Sequence, residues 1–273
     1  MTTVGLAHTY RAAPDSEHVV VFLWAIGSDR SMWSEVTGLL GEAGISTLTV
    51  DHRGHGGSAV DGPFGISDMA DDVLATVTGL DVGSFDLVGI SLGGAVAQHI
   101  AVSASERVAS LTLLSTLAKF GTPEAWRERA DEVRAHGTAP LTGGLAGRWV
   151  TEDFAARRPE VLERLVDMVA GTSADGYAGC AEALGHWDGR AELSAIAAPT
   201  LVIGGAQDRT ATPDALAELA RGIPGSVHRT VPGAHLTPVE QPAAVAELIR
   251  GHVDAASRSH NLISTISKGA VTR

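Results

Sequence analysis

The run Phe85-Asp86-Leu87-Val88-Gly89-Ile90-Ser91-Leu92-Gly93-Gly94 decides the fold of this 273-residue chain. Its first six residues are mostly apolar and lack polar alternation, as expected of a strand covered on both faces in a parallel sheet. A serine follows at once, and Gly93–Ser103 then has the pattern of a small-residue helix. Strand, one-residue turn and helix in direct succession force Ser91 into a strained backbone conformation, which requires small neighbours at Gly89 and Gly93. The Ser91 hydroxyl then projects at the C-terminal edge of the sheet. The N–H groups of the following helix point toward any negative charge that develops there.

Similar apolar runs occur at Val19–Trp24, Ile45–Val50, Leu111–Leu114, Thr200–Gly204 and Val227–Val231. Helical patterns at Ser31–Ala43 and Ile66–Leu80 lie between the early ones. The second of these carries Ser67, Asp68, Asp71 and Asp72 near its start, where the helix dipole favours negative charge. This alternation predicts an α/β fold: a mostly parallel central sheet with helices on both faces and right-handed crossovers. About 85 residues separate Leu111–Leu114 from Thr200–Gly204, far more than a simple crossover needs. Helical patterns at Glu124–His136, Leu141–Val150, Arg158–Ala170 and Tyr177–Leu184 fill that interval. They predict a helical lid over residues 117–198, inserted between core segments 1–116 and 199–256. The last helix is expected at Pro242–Ala256, and residues 257–273 read as a frayed, disordered tail.

Composition narrows the function. With 20 basic and 32 acidic residues, a net charge of −12, the chain lacks the basic excess of a nucleic-acid-binding surface. An anionic small molecule remains compatible, because a pocket arginine acts locally. A single cysteine, Cys180, excludes an internal disulfide. No stretch approaches the length of a membrane span and no leader pattern opens the chain, so a cytoplasmic protein without a membrane partner is expected.

A serine hydroxyl needs a base to become nucleophilic, and the base needs an acid to orient it. On this kind of scaffold they follow in the order serine, acid, histidine. Asp208 stands at the end of the run Thr200–Gly204, in Gly205-Ala206-Gln207-Asp208, where the alternative role is a helix N-cap. His235 stands after Val231, in Pro232-Gly233-Ala234-His235-Leu236. The expected catalytic set is therefore Ser91, Asp208 and His235. His52 and His55, in Asp51-His52-Arg53-Gly54-His55-Gly56-Gly57-Ser58, lack a third ligand nearby, so a tight loop pinned by hydrogen bonds is expected there rather than a metal. The chemistry calls for no metal and no cofactor.

Along nearly its whole length the chain resembles the α/β-hydrolase superfamily, and more narrowly the 3-oxoadipate enol-lactonases of aromatic catabolism. The likeness rests on Gly27-Ser28-Asp29-Arg30-Ser31-Met32-Trp33, Asp51-His52-Arg53-Gly54-His55-Gly56, Gly89-Ile90-Ser91-Leu92-Gly93-Gly94 and Pro232-Gly233-Ala234-His235. More particular are Lys119-Phe120-Gly121-Thr122-Pro123, Trp126 and the pair Arg148-Trp149. The resemblance implies a small lactone or ester substrate bearing a carboxylate arm, with Arg148 gripping the carboxylate and Trp149 forming an apolar wall. It also implies an oxyanion hole made by the backbone N–H groups of Ile26 and Leu92. Trp24-Ala25 stands where many relatives carry His-Gly, so Trp24 is expected to reach the substrate and narrow the pocket. General carboxylesterases, carbon–carbon bond hydrolases and cofactor-free perhydrolases share this scaffold, as do ligand-binding homologues with little turnover. Fold alone leaves them open.

Overall fold

The computed structural model describes residues 3–14, 16 and 18–270, with side chains through Arg258. Seven strands form one sheet: β1 (His8–Arg11), β2 (Val19–Leu23), β3 (Ser46–Val50), β4 (Phe85–Ile90), β5 (Val108–Leu114), β6 (Thr200–Gly205) and β7 (Val227–Val231). Their spatial order is β1-β3-β2-β4-β5-β6-β7. Only β1 runs antiparallel, paired to β3 from His8 opposite Val50 to Arg11 opposite Thr47. Polar and half-exposed, β1 carries none of the apolar signal that marks the central strands. The other pairs are parallel, as expected.

Strands β3, β4 and β6 are buried throughout, and β2 and β5 nearly so. Strand β7 departs from expectation: it is an edge strand, mostly exposed, because no further strand pairs beyond it. The chain leaves β2 in both directions. It steps outward to β3 through α1 (Ser34–Glu42) and returns past β2 to β4 through α2 (Ile66–Gly79). The next crossover, α3 (Leu92–Ser103), leads from β4 to β5. Right-handed crossovers that travel in opposite directions must lie on opposite faces of the sheet. The reversal of direction places a crevice outside the C-terminal ends of β2 and β4, where open α/β sheets bind ligands.

Between β5 and β6 lie α4 (Pro123–His136), α5 (Glu152–Arg157), α6 (Pro159–Ala170) and α7 (Ala174–His186). Their starts are local chemistry. Thr122, Thr151 and Ser173 each accept a hydrogen bond from the backbone N–H three residues on, and Pro123 takes a first-turn position where its missing N–H costs nothing. Residues 141–150 are not the expected helix. A short 3₁₀ turn at Ala139–Thr142 gives way to Gly144 and Gly147, both at φ +81°, a conformation no right-handed helix contains. The resulting loop is held from outside. Leu236 N–H donates to the Trp149 carbonyl at 2.7 Å, which ties this segment to the loop carrying His235.

After β6 come α8 (Pro213–Gly222), β7, α9 (Thr237–Glu240) and α10 (Pro242–Ala270). Helix α10 packs against α1 and runs well past the expected Ala256. Residues 257–270 are therefore helical and not a frayed tail, while 271–273 lie outside the described residues. No proline follows Pro242 to stop the helix, and Ser257 Oγ anchors it by bonding the Val253 carbonyl at 3.1 Å and His18 Nε2 at 3.0 Å. Among the described residues, no helix is long and apolar enough to cross a membrane.

Candidate active site

Ser91 sits between β4 and α3 at φ +54°, ψ −117°, the strained turn expected from its neighbours. Strain of this kind costs about 1–3 kcal/mol and persists only where the surroundings over-determine it. Here they do. Ser91 N–H donates to the Leu114 carbonyl at 3.0 Å, and the Ser91 carbonyl accepts from Thr116 Oγ1 at 2.7 Å. Gly93 N–H donates to the Trp24 carbonyl at 2.9 Å, joining α3 to the end of β2. A Cβ on Gly93 would lie 2.5 Å from the Leu23 carbonyl carbon, so this close approach accepts only glycine.

Asp208 and His235 come from loops at the ends of β6 and β7 and meet in the buried layer beside Ser91. His235 Nδ1 lies 2.9 Å from Asp208 Oδ2, and both side chains are almost wholly buried. The other Asp208 oxygen accepts from the N–H groups of Thr210 at 2.8 Å and Ala211 at 3.0 Å, so the local-turn role and the histidine contact are both filled. Two contacts register the histidine loop against the aspartate loop. Gln207 N–H donates to the Gly233 carbonyl at 2.9 Å, and Gly233 N–H donates to Gln207 Oε1 at 2.8 Å. Among the described residues the Ser91 hydroxyl makes no hydrogen bond, and such contacts commonly tighten only when substrate arrives.

Ser91 and His235 open into one cavity of about 220 Å³. Ile26 and Gly27 line it from the loop after β2, and Arg148 and Trp149 from the loop before α5. Phe120, Trp126, Arg129, Tyr177 and Leu184 are among the walls that the sequence alone does not mark as site residues. Arg129 Nε donates to Tyr177 Oη at 3.0 Å, and its guanidinium lies 6.0 Å from that ring's centre. The available clue to Arg129 is its spacing of three from Trp126, which puts the two on one helix face. Arg148, half-buried, donates to the Leu141 carbonyl at 3.2 Å; burial, then the nearby Arg129 charge, lowers its pKa. No carboxylate lines the cavity, and among the described residues neither arginine is paired with one. A larger cleft of about 410 Å³ beside Asp29 and Arg164 contains neither Ser91 nor His235.

Trp24 does not reach the cavity. It is completely buried behind the loop after β2, with its ring centre 4.7 Å from that of His52 and 4.4 Å from that of His55. The two histidine rings hold the indole in the core and out of the cavity wall, so Trp24 contributes its backbone carbonyl to Gly93 N–H and not a side chain to the pocket. Ala25 needs no unusual backbone angle, because Gly27 adopts the positive φ of this turn.

The loop Asp51–Ser58 is pinned as expected at His55 but not at His52. His55 Nδ1 faces the Arg53 carbonyl at 3.1 Å and its Nε2 accepts from Gly27 N–H at 3.2 Å. Among the described residues, neither ring nitrogen of His52 has a hydrogen-bond partner. Burial pushes the pKa of His52 down to about 3, with His55 adding to the effect, and burial pushes His55 down to about 4. An unfolded chain takes up these protons near pH 6.5 while the folded one refuses them, so the stabilisation is complete above pH 6.5 and is lost as the pH falls toward 4. Between pH 7.5 and pH 5 the loss is about 2 kcal/mol per histidine. Urea denaturation at the two pH values is expected to show a lower midpoint at pH 5 and a smaller difference in His52→Phe. An equal difference in that variant would contradict the assignment.

A second contact of the same residue types lies at the opposite end of the sheet: Ser257 Oγ to His18 Nε2 at 3.0 Å, and His18 Nδ1 to Asp86 Oδ2 at 3.1 Å. Ser257 is inside α10, where backbone N–H groups are spent on helix bonds, so this cluster offers no donors for an oxyanion. It clasps α10 to the entry of β2.

A family model described as the alpha/beta hydrolase fold matches residues 18–242, and the chain belongs to the α/β-hydrolase family. It is 35% identical over 226 residues to 3-oxoadipate enol-lactonase 2 of Acinetobacter baylyi, covering 82% of this chain and 84% of that one. The enol-lactonase of Burkholderia xenovorans superposes with a TM-score of 0.88 at 30% identity, covering 92% and 97% of the two chains. A thermophilic esterase from Thermogutta terrifontis, solved with malate bound, superposes with a TM-score of 0.87 at 29% identity over 93% and 94%. Within the family, the chain is a hydrolytic enzyme.

Proposed function

We propose that the chain is a serine lactonase that opens a small enol-lactone carrying a carboxylate arm, of the 3-oxoadipate enol-lactone kind. The observation that carries this reading is the cavity shared by Ser91 and His235, which also presents two guanidinium groups that no carboxylate among the described residues neutralises. At about 220 Å³ it is smaller than the roughly 300–1,000 Å³ of drug-sized ligand pockets and suits a compact acid. Residues 117–198 act as the lid, supplying Phe120, Trp126, Arg129, Arg148, Trp149 and Tyr177 to its walls.

His235 Nε2 takes the Ser91 proton as Oγ attacks the lactone carbonyl, and Asp208 holds the Nδ1–H of the resulting imidazolium. The Ile26 and Leu92 N–H groups receive the carbonyl oxygen as it becomes an oxyanion. Both are free for this. Leu92 is the first residue of α3, where helix N–H groups lack intrahelical partners, and Ile26 N–H has no protein partner among the described residues. Collapse of the tetrahedral intermediate breaks the ring C–O bond, and the His235 imidazolium gives its proton to the leaving enolate oxygen, yielding an enol that tautomerises to the ketone. Neutral His235 then draws a proton from water as the hydroxide attacks the acyl-serine, and returns it to Ser91 Oγ as the acid leaves. Arg148, with Arg129 beside it, grips the carboxylate arm through charge-assisted hydrogen bonds.

A matched pair of butenolides, with and without the carboxylate arm, tests the substrate assignment. The carboxylated compound is expected to have the higher kcat/KM by about tenfold to a hundredfold, and Arg148→Leu is expected to remove most of that preference. Equal rates on both compounds would remove the role of the arginines. They would instead favour a general small-ester hydrolase, the reading to which the likeness to the Thermogutta esterase also points.

A further inference from the structure

The loop after β2 that presents Ile26 to the cavity is held by groups outside the catalytic set. The two peptide planes flanking Ile26 have separate anchors. In the first, the Ala25 carbonyl accepts both Ser28 N–H at 3.0 Å and Ser28 Oγ–H at 2.7 Å. Because a trans peptide is planar, fixing that carbonyl fixes the opposed Ile26 N–H. In the second, Gly27 N–H is accepted by His55 Nε2 at 3.2 Å. We propose that His55 is a positioning residue for the reaction: its neutral imidazole accepts Gly27 N–H and so aims the adjacent Ile26 N–H at the oxyanion. The proposal rests on the serine-hydrolase reading given above.

Several features make the ring suited to this task. The tautomer is dictated by its partners. The Arg53 carbonyl can only accept, so Nδ1 carries the proton and Nε2 is left bare for Gly27. The ring cannot swing away, since Trp24 stacks on it at 4.4 Å and it is 1% exposed. Burial favours the uncharged form and outweighs the Arg53 carbonyl, which favours protonation. The neutral Cys180 thiol of α7 lies 4.0 Å from Nδ1, His52 contacts the same Trp24 ring, and Asp29, the carboxylate that favours protonation, acts less than the Arg53 carbonyl. Burial holds the His55 pKa down to about 4, so the acceptor persists throughout the neutral range. A protonated ring would turn a second N–H toward Gly27 N–H and push the turn out of register. From the cavity side, Tyr177 covers Gly27, and Thr172 Oγ1 donates to the Gly27 carbonyl at 3.4 Å.

A role in aiming the oxyanion donor differs from a merely structural one in what it changes. Two probes separate them: a trifluoromethyl ketone, whose adduct with Ser91 places an oxyanion between Ile26 and Leu92, and adipate, a ground-state carboxylate ligand. His55→Phe keeps the aromatic stack but removes the acceptor. It is expected to weaken ketone inhibition and lower kcat by about tenfold to a hundredfold, below the 10²–10³ seen when an oxyanion donor is deleted outright. Adipate affinity is expected to stay within about threefold, and His55→Gln, whose amide oxygen reaches the Nε2 position, to restore most of the loss. Equal weakening of both probes, or no rescue by glutamine, would overturn the proposal. Nitrogen-15 spectra of the wild-type ring are an independent check at pH 7: protonated Nδ1 with bare Nε2 is expected, and the opposite tautomer would refute the contact even if His55→Phe does not fold. Wild-type protein that forms no ketone adduct would count against the serine-hydrolase reading, and the ring spectrum would still decide the His55 contact.

Discussion

Replacing Ser91 with alanine is expected to lower kcat on a lactone or activated ester by about four to six orders of magnitude, with the fold intact. The size follows from removing the nucleophile. Without it the acyl-enzyme route is closed, and the oxyanion donors and binding groups give only residual catalysis over water. The fold should survive because the elbow is held by backbone contacts that alanine keeps: Ser91 N–H to Leu114, and the Ser91 carbonyl to Thr116. With p-nitrophenyl acetate, the wild type is expected to give a burst of product equal to the enzyme concentration, and Ser91→Ala none. A variant that retains its burst, or loses less than tenfold in kcat while its circular dichroism is unchanged, would place the nucleophile elsewhere.

Asp208→Asn is expected to cost about 10⁴ in kcat for a different reason. In the native loop one carboxylate oxygen accepts from Thr210 and Ala211 N–H, and the other faces His235 Nδ1. An asparagine must turn its carbonyl oxygen toward the two N–H donors, because its amide nitrogen cannot accept from them. Its NH₂ group then points at His235 Nδ1 and forces the proton onto Nε2, the atom that has to take the Ser91 proton. The loop geometry is preserved while the base is locked in the wrong tautomer. The measurement is kcat/KM together with thermal stability: a large activity loss with a small change in Tm is expected, and near-normal turnover would show that Asp208 does not orient the base. Asp208→Ala, which leaves the two N–H groups unpaired in a buried loop, should add a stability loss of about 1–3 kcal/mol.

Much of the site was legible because it is written in local chemistry. An apolar strand running into Ser91 between glycines specifies the elbow without reference to the rest of the chain, and the observed φ of +54° follows from it. Asp208 and His235 could be located because each closes an apolar run, and strand ends in a parallel sheet share one edge. Departures from the local pattern have physical causes as well. The helix expected over 141–150 failed because Gly144 and Gly147 adopt positive φ. Helix α10 continues past Ala256 because the polar residues that follow still permit a helix when nothing breaks it. Strand β1 was missed because it is an exposed edge whose pairing with β3 replaces the apolar signal of a core strand.

The side toward which a large ring turns is not written in local sequence. Local sequence points Trp24 at the substrate, yet contacts with His52 and His55, from a loop about 30 residues away, hold it in the core. Arg129 and Tyr177 are 48 residues apart and meet in the cavity wall only because α4 packs on α7. The sequence alone determined the fold class, the elbow and the strand-end positions of Asp208 and His235, since backbone sterics, strand burial and connection order act over short spans. Tertiary structure alone decided which side chains reach the cavity and which support it from behind, because long-range packing selects the face each one presents.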